Sequence, residues 1–451
     1  MISSYRLAPR LVKILAVSLL FRQVILGGQT APSQLEANAQ SQETSPLTIN
    51  LQDALERARN NSQQLQSARI GSQLSHEDRQ QARAAFLPTL NYLNQYIYTQ
   101  GNGTPSGIFV ANDGVHVYNS QAVVHQEIYS PARRAEYRQA NLAEAVAQAR
   151  VEIAARGLVA TVVQTYYSTV AARRRLANAQ HGVDEARDFL NITTKQEKGG
   201  EVARSDVVKA QILLQQRERD AQEAQLAWEK AKLAFAVLIF PDFRQDFSVV
   251  DDLQSANPLG SFEEIQSMAV KQNPELRAAE LTLQQNKSGV GVARAAYLPS
   301  LSFDYFFGIN ANQFATKQDS IQRLGSSAQA TLNVPVWNWG ATRSKVRQAE
   351  LRTRQAQLDL SLTQRQLLSD LHSFYLEAQT AQTQLDSLKQ SALLAQESMR
   401  LTLLRYEAGE ASVLEVVDAQ TTLMQARNAV DDGLARYRLA LANLQTLTGV
   451  L

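Results

Sequence analysis

Apolar positions along this chain recur with two periods, and each period occurs twice. From Leu301 they alternate: Leu301, Phe303, Tyr305, Phe307 and Ile309 share one face of an extended segment. Ser300, Ser302, Asp304, Gly308 and Asn310 lie opposite, with Phe306 the exception. The return segment repeats the pattern. Ala328, Ala330, Leu332, Val334 and Val336 oppose Ser327, Gln329, Thr331 and Asn333, and Trp337 and Trp339 follow where an interfacial aromatic belt would lie. This predicts a hairpin over about 298–337. An earlier one, over about 87–129, is noisier: Leu90, Tyr92, Tyr96 and Tyr98 share a face with Asn94, and the return runs from about Val115 to Tyr129.

Beyond each hairpin the period becomes helical. Leu367, Leu371, Phe374, Ala378, Ala381, Leu385, Leu388, Ala392, Ala395 and Met399 keep an unbroken 4-3 spacing, the seam of a coiled coil within a long helix over 340–408. Ser130-Pro131 caps the equivalent helix over 131–198. At about 1.5 Å per residue that helix spans on the order of 100 Å. Shorter helices are expected over 201–240 and 411–448. Ahead of the second hairpin, Asn273-Pro274-Glu275 supplies an N-cap, a first-turn proline and an acid, opening a helix to about Ala296 that Pro299 ends.

The recurrence is an internal duplication. Ala82-Arg83-Ala84-Ala85-Phe86-Leu87-Pro88 matches Ala293-Arg294-Ala295-Ala296-Tyr297-Leu298-Pro299, and GGEVARSDVVKAQ from Gly199 matches AGEASVLEVVDAQ from Ala408. Order and spacing both repeat, so two copies of one unit are expected, 40–240 and 262–451, joined by a linker over 241–261. Each copy reads helix, strand, strand, long helix, shorter helix.

The N-terminus bears on compartment. Arg6, Arg10 and Lys13 precede an apolar run from Ile14 to Phe21, and Ala37-Asn38-Ala39 forms a small-x-small cleavage pattern; residues 1–39 read as a secretory signal, although Arg22 interrupts the apolar stretch. No later window approaches the roughly 18 uninterrupted apolar residues of a spanning helix. Membrane passage must then use strands. Four strands cannot close a barrel, so several chains must share one: two would give eight strands with a filled interior, three would give twelve and a wider lumen. Transport favours three; the sequence leaves the number open.

Composition narrows the chemistry. Lys plus Arg (45) nearly balance Asp plus Glu (43), which leaves no electrostatic footprint for nucleic acid. The absence of cysteine excludes disulfides, thiolate metal sites and a cysteine nucleophile. The five histidines, at 76, 116, 125, 181 and 372, form no metal-spaced pair, and neither a P-loop nor a nucleophile elbow is present. No enzyme, cofactor or resident metal is expected.

The duplicated ARAA-aromatic-LP lead-in to each hairpin, YEAGEASVLEVVDAQ from Tyr406 and ALANLQTLTG from Ala440 are similar to the TolC-like outer-membrane efflux proteins, and the chain resembles that family from about Leu47 to Leu451. The resemblance implies a mainly α fold with membrane β, a trimer forming a 12-stranded barrel and an α-helical periplasmic tunnel. It implies an outer-membrane channel of a tripartite efflux or type I secretion system in a diderm bacterium. Such a channel is a passive exit duct, partnered by a periplasmic adaptor, an inner-membrane pump of RND, ABC or MFS type, and outer-membrane lipid. The alternative from another class is a soluble coiled-coil scaffold, which would fractionate without detergent.

Candidate sites follow. The turns Gly199-Gly200-Glu201 and Gly409-Glu410-Ala411 are expected at the periplasmic tips, making Gly200, Glu201, Gly409 and Glu410 candidates for adaptor docking; the simpler reading of the glycines is a helix C-cap. Just beyond them lie Asp206 and, three residues apart on one face, Glu415 and Asp418. Lining a bore, they would form carboxylate rings that attract cations. Elsewhere they are ordinary acids favoured by a helix N-terminus. By resemblance these acids fall on the family's gate positions and Tyr406 on its gate tyrosine. Ala411 stands where some members carry a gate arginine, leaving Arg204 or Arg405 as substitutes. Leu301, Phe303, Tyr305, Phe307, Leu332, Val334 and Trp337 are expected to face lipid, the alternative being the core of a soluble sheet.

Overall fold

The computed structural model describes residues 47–98, 116–254, 258–311, 314–318 and 320–449. The expected signal over 1–39 and the start of the first return strand at Val115 lie outside them. In chain order the elements are β1 (Leu47–Ile49), α1 (Leu51–Asn61), α2 (Gln63–Ala84), β2 (Thr89–Tyr98), β3 (His116–Tyr129), α3 (Pro131–Lys198) and α4 (Arg204–Ile239). There follow β4 (Phe247–Val249), α5 (Phe262–Gln272), α6 (Pro274–Ala295), β5 (Ser300–Ala311), the two-residue strands β6 (Lys317–Gln318) and β7 (Ile321–Gln322), β8 (Leu324–Asn333), α7 (Ala341–Glu407) and α8 (Val413–Thr448).

Two helices precede each hairpin. Ser62 separates α1 from α2, its hydroxyl accepting from the Leu65 amide at 3.2 Å; Asn273 is the N-cap of α6, its side chain accepting from Leu276 at 2.9 Å before Pro274, and α5 lies ahead of it. A side chain that caps a new helix competes with the old one for the same amides.

The four long strands form one antiparallel sheet in the order β2-β3-β5-β8. The cross-strand register stacks like with like. Tyr92, Ala122, Phe307 and Ser326 lie in one row, and Leu90, Val124, Tyr305 and Ala328 in the next on the same side, so the aromatic positions other than Phe306 share a face. The opposite face is polar, with Asn119, Gln121, Ser302 and Gln329, and there His125 Nδ1 lies 2.6 Å from Asp304 Oδ1. Strand β8 ends at Asn333, so Val334 and Trp337, expected on the lipid-facing strand, lie beyond it. Pro335 explains the stop, since it has no N–H for the ladder and restricts the residue before it. Trp337 and Trp339 then pack edge to face, centroids 5.8 Å apart and both exposed.

The helices α3 and α7, of 68 and 67 residues, carry the length of the molecule. Every position of the 4-3 seam in α7 is buried or half-buried, and Leu385 and Leu388 close against Gly433 of α8, where a Cβ would collide with Leu388. Midway, the linker folds back. Its β4 pairs in parallel with β1, Leu47 opposite Phe247 and Ile49 opposite Val249, and covers a core that includes Tyr166, Val162, Phe235, Ile239 and Leu253. Polar bonds fasten this clasp: Tyr166 Oη donates to the Val250 carbonyl at 2.7 Å, Arg173 donates to Val249 at 3.0 Å, and Arg174 bonds both Asp251 oxygens and Asp431. Burial pushes the Tyr166 hydroxyl well above its ordinary value and Tyr167 up to about 12.

Two outcomes test this account. At Gly308, φ is +156° and an added Cβ would strike the Ser120 carbonyl and the Gln121 backbone, whereas Gly325, opposite it on β8, faces open space. Gly308→Ala should lower stability by about 1–3 kcal/mol and Gly325→Ala far less, read as the midpoint of denaturant unfolding in detergent. Burial works to raise the Asp251 pKa, but the Arg174 bonds outweigh it and hold the carboxyl below its ordinary 3.8. A depressed acid stabilises above its unfolded pKa and loses that contribution as pH falls through the folded value. Wild type should therefore lose more thermal stability than Asp251→Asn on acidification from pH 5 to pH values below 3.8.

Candidate functional site at the helical tips

Both helix reversals are built alike. At the first, Gly200 takes φ +77° and the Glu201 amide donates to the Gln196 carbonyl at 2.9 Å; at the second, Gly409 takes φ +78° and the Glu410 amide donates to Arg405 at 2.8 Å. Each is a left-handed C-cap that returns carbonyls of the last turn to hydrogen bonding, a geometry glycine adopts at least cost. Gly200, Glu201, Gly409 and Glu410 are all exposed. The following helices begin later than the expected 201 and 411. Helix α4 starts at Arg204 after an extended Ala203 without a side-chain cap, and α8 starts at Val413 because Ser412 is its N-cap.

Glu415 completes a capping box. The Ser412 amide donates to Glu415 Oε1 at 3.0 Å, the Glu415 amide donates to Ser412 Oγ at 3.4 Å, and Arg405 Nη1 reaches Oε2 at 3.4 Å. The Ser412 amide bond, then its hydroxyl, hold the Glu415 pKa below the ordinary carboxylate value, with a further push from Arg405. Asp206 pairs with Lys209 at 3.2 Å, while Arg204 lies 3.8 Å from Glu197. Asp418 is exposed and has no ion pair or side-chain hydrogen bond among the described residues. Within one chain no such contact joins Asp206 to Glu415 or Asp418.

Tyr406 is 2 % exposed. Its ring packs on Phe189, centroids 5.2 Å apart, within a small core that includes Ala186, Ala210, Leu213, Val413 and Val416, and its hydroxyl lies 3.2 Å from Thr193 Oγ1. Burial raises its pKa. It therefore joins α7 to α3 directly beneath the turns.

Sequence reasoning missed the polar seam between the helix pair α3–α4 and the pair α7–α8. Buried Arg217 donates to Thr421 Oγ1 at 2.9 Å and meets Met424 Sδ at 3.3 Å; Arg427 pairs with Glu185 at 2.9 Å; Asn178 donates to Asp431 at 2.9 Å. One signal was available. Arg217 interrupts the apolar row of Val207, Ala210 and Leu213 at helical spacing. No described helix is long and apolar enough to cross a membrane, which bears only on helices.

The family model for outer membrane efflux proteins matches residues 54–239 and again residues 265–450. The chain belongs to the outer membrane efflux protein family. Among relatives, it is 23 % identical to outer membrane protein TolC of Vibrio cholerae over 89 % of this chain and 91 % of that protein. It is 23 % identical to the alkaline protease secretion protein AprF of Pseudomonas aeruginosa, over 90 % of this chain and 85 % of that one. Its fold matches the crystal structure of the Campylobacter jejuni CmeC outer membrane channel with a TM-score of 0.78, covering 94 % of each chain at 19 % identity. The protein is an outer-membrane channel of the efflux and secretion class, mainly α with membrane β, and the family's members are channels. The soluble scaffold is not favoured.

Truncating Tyr406 distinguishes packing from bonding. Tyr406→Ala should cost about 3–5 kcal/mol by leaving a cavity, and Tyr406→Phe about 0.5–1.5 kcal/mol by losing the Thr193 bond, both read from denaturant unfolding followed by helical circular dichroism.

Proposed function

We propose that three copies of this efflux-family chain close one twelve-stranded barrel and one continuous helical tunnel, an exit duct whose tips dock on a periplasmic adaptor linked to an inner-membrane pump. The carrying observation is a four-stranded sheet whose outer strands β2 and β8 each pair on one side only, with every strand aromatic but Phe306 on one face. In hydrocarbon the open edges would leave main-chain groups unbonded, a cost that closure with neighbouring copies removes. Leu301, Phe303, Tyr305, Phe307 and Leu332 then face lipid, with Val334 and Trp337 at its border. Exposed apolar positions on the helices, Ile212, Leu226 and Leu233 on α4 and Leu351, Leu358 and Leu362 on α7, give the copies surfaces to bury against one another.

At the tips, Gly200, Glu201, Gly409 and Glu410 meet the adaptor. Asp206, Glu415 and Asp418 ring the constriction, with Arg405 holding Glu415 in place of an arginine at Ala411, and Tyr406 braces the site from below. Planar bilayers test the reading. The wild type should conduct as a trimer, and Asp206→Ala/Glu415→Ala/Asp418→Ala should conduct more and be blocked less by divalent cations. Unchanged conductance would remove the gate residues alone; a monomer soluble in plain buffer would remove the barrel.

A further inference from the structure

A groove of about 370 Å³ lies where the sheet meets the helices, lined by Tyr129, Arg134, Arg138, Arg294 and Leu298 among others. Its position follows from register. Past a bulge at the end of β3, Tyr129 pairs with Leu301, which puts it on the aromatic face of the sheet, two residues before α3 begins. The groove therefore starts where the apolar face stops. Arg134 and Arg138 stand one turn apart on α3, both exposed, and Arg294 joins them from the last turn of α6.

The charges are unevenly used. Arg294 reaches Glu350 on α7 at 2.9 Å, and Arg134 stacks over the Tyr129 ring at 5.6 Å. No carboxylate lies within ion-pair distance of Arg134 or Arg138 among the described residues. Two solvated guanidiniums and a third that is half-satisfied thus surround a cavity with Leu298 on its wall. That combination matches a phosphate joined to an acyl chain: planar donors for the anion, apolar surface for the tail.

We infer that this groove holds the phosphate headgroup of an anionic phospholipid in the periplasm-facing leaflet of the outer membrane. The inference rests on the proposal that the aromatic face meets lipid. Arg134 and Arg138 bind the phosphate, Arg294 orients it, and Tyr129 with Leu298 cover the start of the chains.

Purified full-length protein in detergent, titrated with an equimolar mixture of phosphatidylglycerol and phosphatidylcholine of identical acyl chains, should retain phosphatidylglycerol preferentially in native mass spectra. The preference should fall on the order of 5-fold for each arginine lost in Arg134→Gln and Arg138→Gln, and should weaken at high salt. Equal retention by the wild type, an unchanged preference in the double variant, or displacement by millimolar inorganic phosphate would overturn the inference. A separate arm reads the membrane placement: on a Trp228→Phe background, phosphatidylcholine with brominated chains should quench Trp337 and Trp339 in vesicles. Quenching without any headgroup preference sinks the groove alone, and no quenching sinks the membrane face with it.

Discussion

In hydrocarbon, a main-chain amide or carbonyl has no water to turn to, and the rest of this molecule is organised around that fact. The sheet satisfies its groups internally through three antiparallel pairings, including the β3–β5 pairing that unites the hairpins of the two halves. Two edges remain. The same register that aligns the ladder also sorts the side chains, placing Tyr305 and Val124 on one face and His125 with Asp304 on the other. A sheet with one face for lipid, one for water and two unpaired edges is stable only as part of a closed wall. The proposed assembly therefore ties the stability of the folded chain to its neighbours.

The helices solve a different problem, that of holding about 100 Å of rod in register without a thick core. Within each pair the contact is apolar and close, with alanine and Gly433 letting backbones approach. Between pairs, stretches of apolar core such as Phe189 on Tyr406 alternate with a polar seam: Arg217 with Thr421, Arg427 with Glu185, Asn178 with Asp431. A part-exposed ion pair such as Arg427–Glu185 is worth about 0–1 kcal/mol, and a hydrogen bond such as Arg217 to Thr421 about 0.5–1.5 kcal/mol, too little to account for the packing but enough to penalise a slipped register in which several go unmet. The equatorial clasp adds the one substantial core at mid-length, where β1 and β4 bring the beginning of one half against the end of its own last helix.

What the sequence disclosed and what it hid divide along the range of the interactions. Strand alternation and the α7 seam are written in neighbouring residues, and both could be read directly. Asn273-Pro274 announces the start of α6 in the sequence itself, whereas the α1–α2 break does not show, because a capping serine looks like any surface serine until its partner amide is known. Alternation through Val336 carried the expected strand past its end, although Pro335 was in plain view; the periodic signal was allowed to outweigh the missing N–H. The three-residue β1–β4 pairing spans some 200 residues and has no local signature at all. Tyr406 was recognisable by its motif, but its burial against Phe189 and Thr193 depends on a helix two hundred residues earlier.

The two tips share a backbone and differ in electrostatics, and the difference bears on Ala411. In the second turn Arg405 spans the reversal: its Nη2 donates to the Glu410 carbonyl at 3.1 Å while Nη1 approaches Glu415. A cation near the C-terminus of α7 and an anion at the N-terminus of α8 each complement the local helix dipole, so one side chain serves both ends. An arginine in the turn itself would compete for the same carboxylate. With alanine there, Glu415 is engaged by its cap and by Arg405, and Asp418, one turn on, keeps its charge open to solvent. The first turn is spanned in the opposite sense, by Arg204 at the start of α4 reaching Glu197 at 3.8 Å, while Ala203 offers no cap and Asp206 is taken by Lys209. Duplication supplied the same fold at both ends, and substitutions at a few side chains made one of them the more acidic surface.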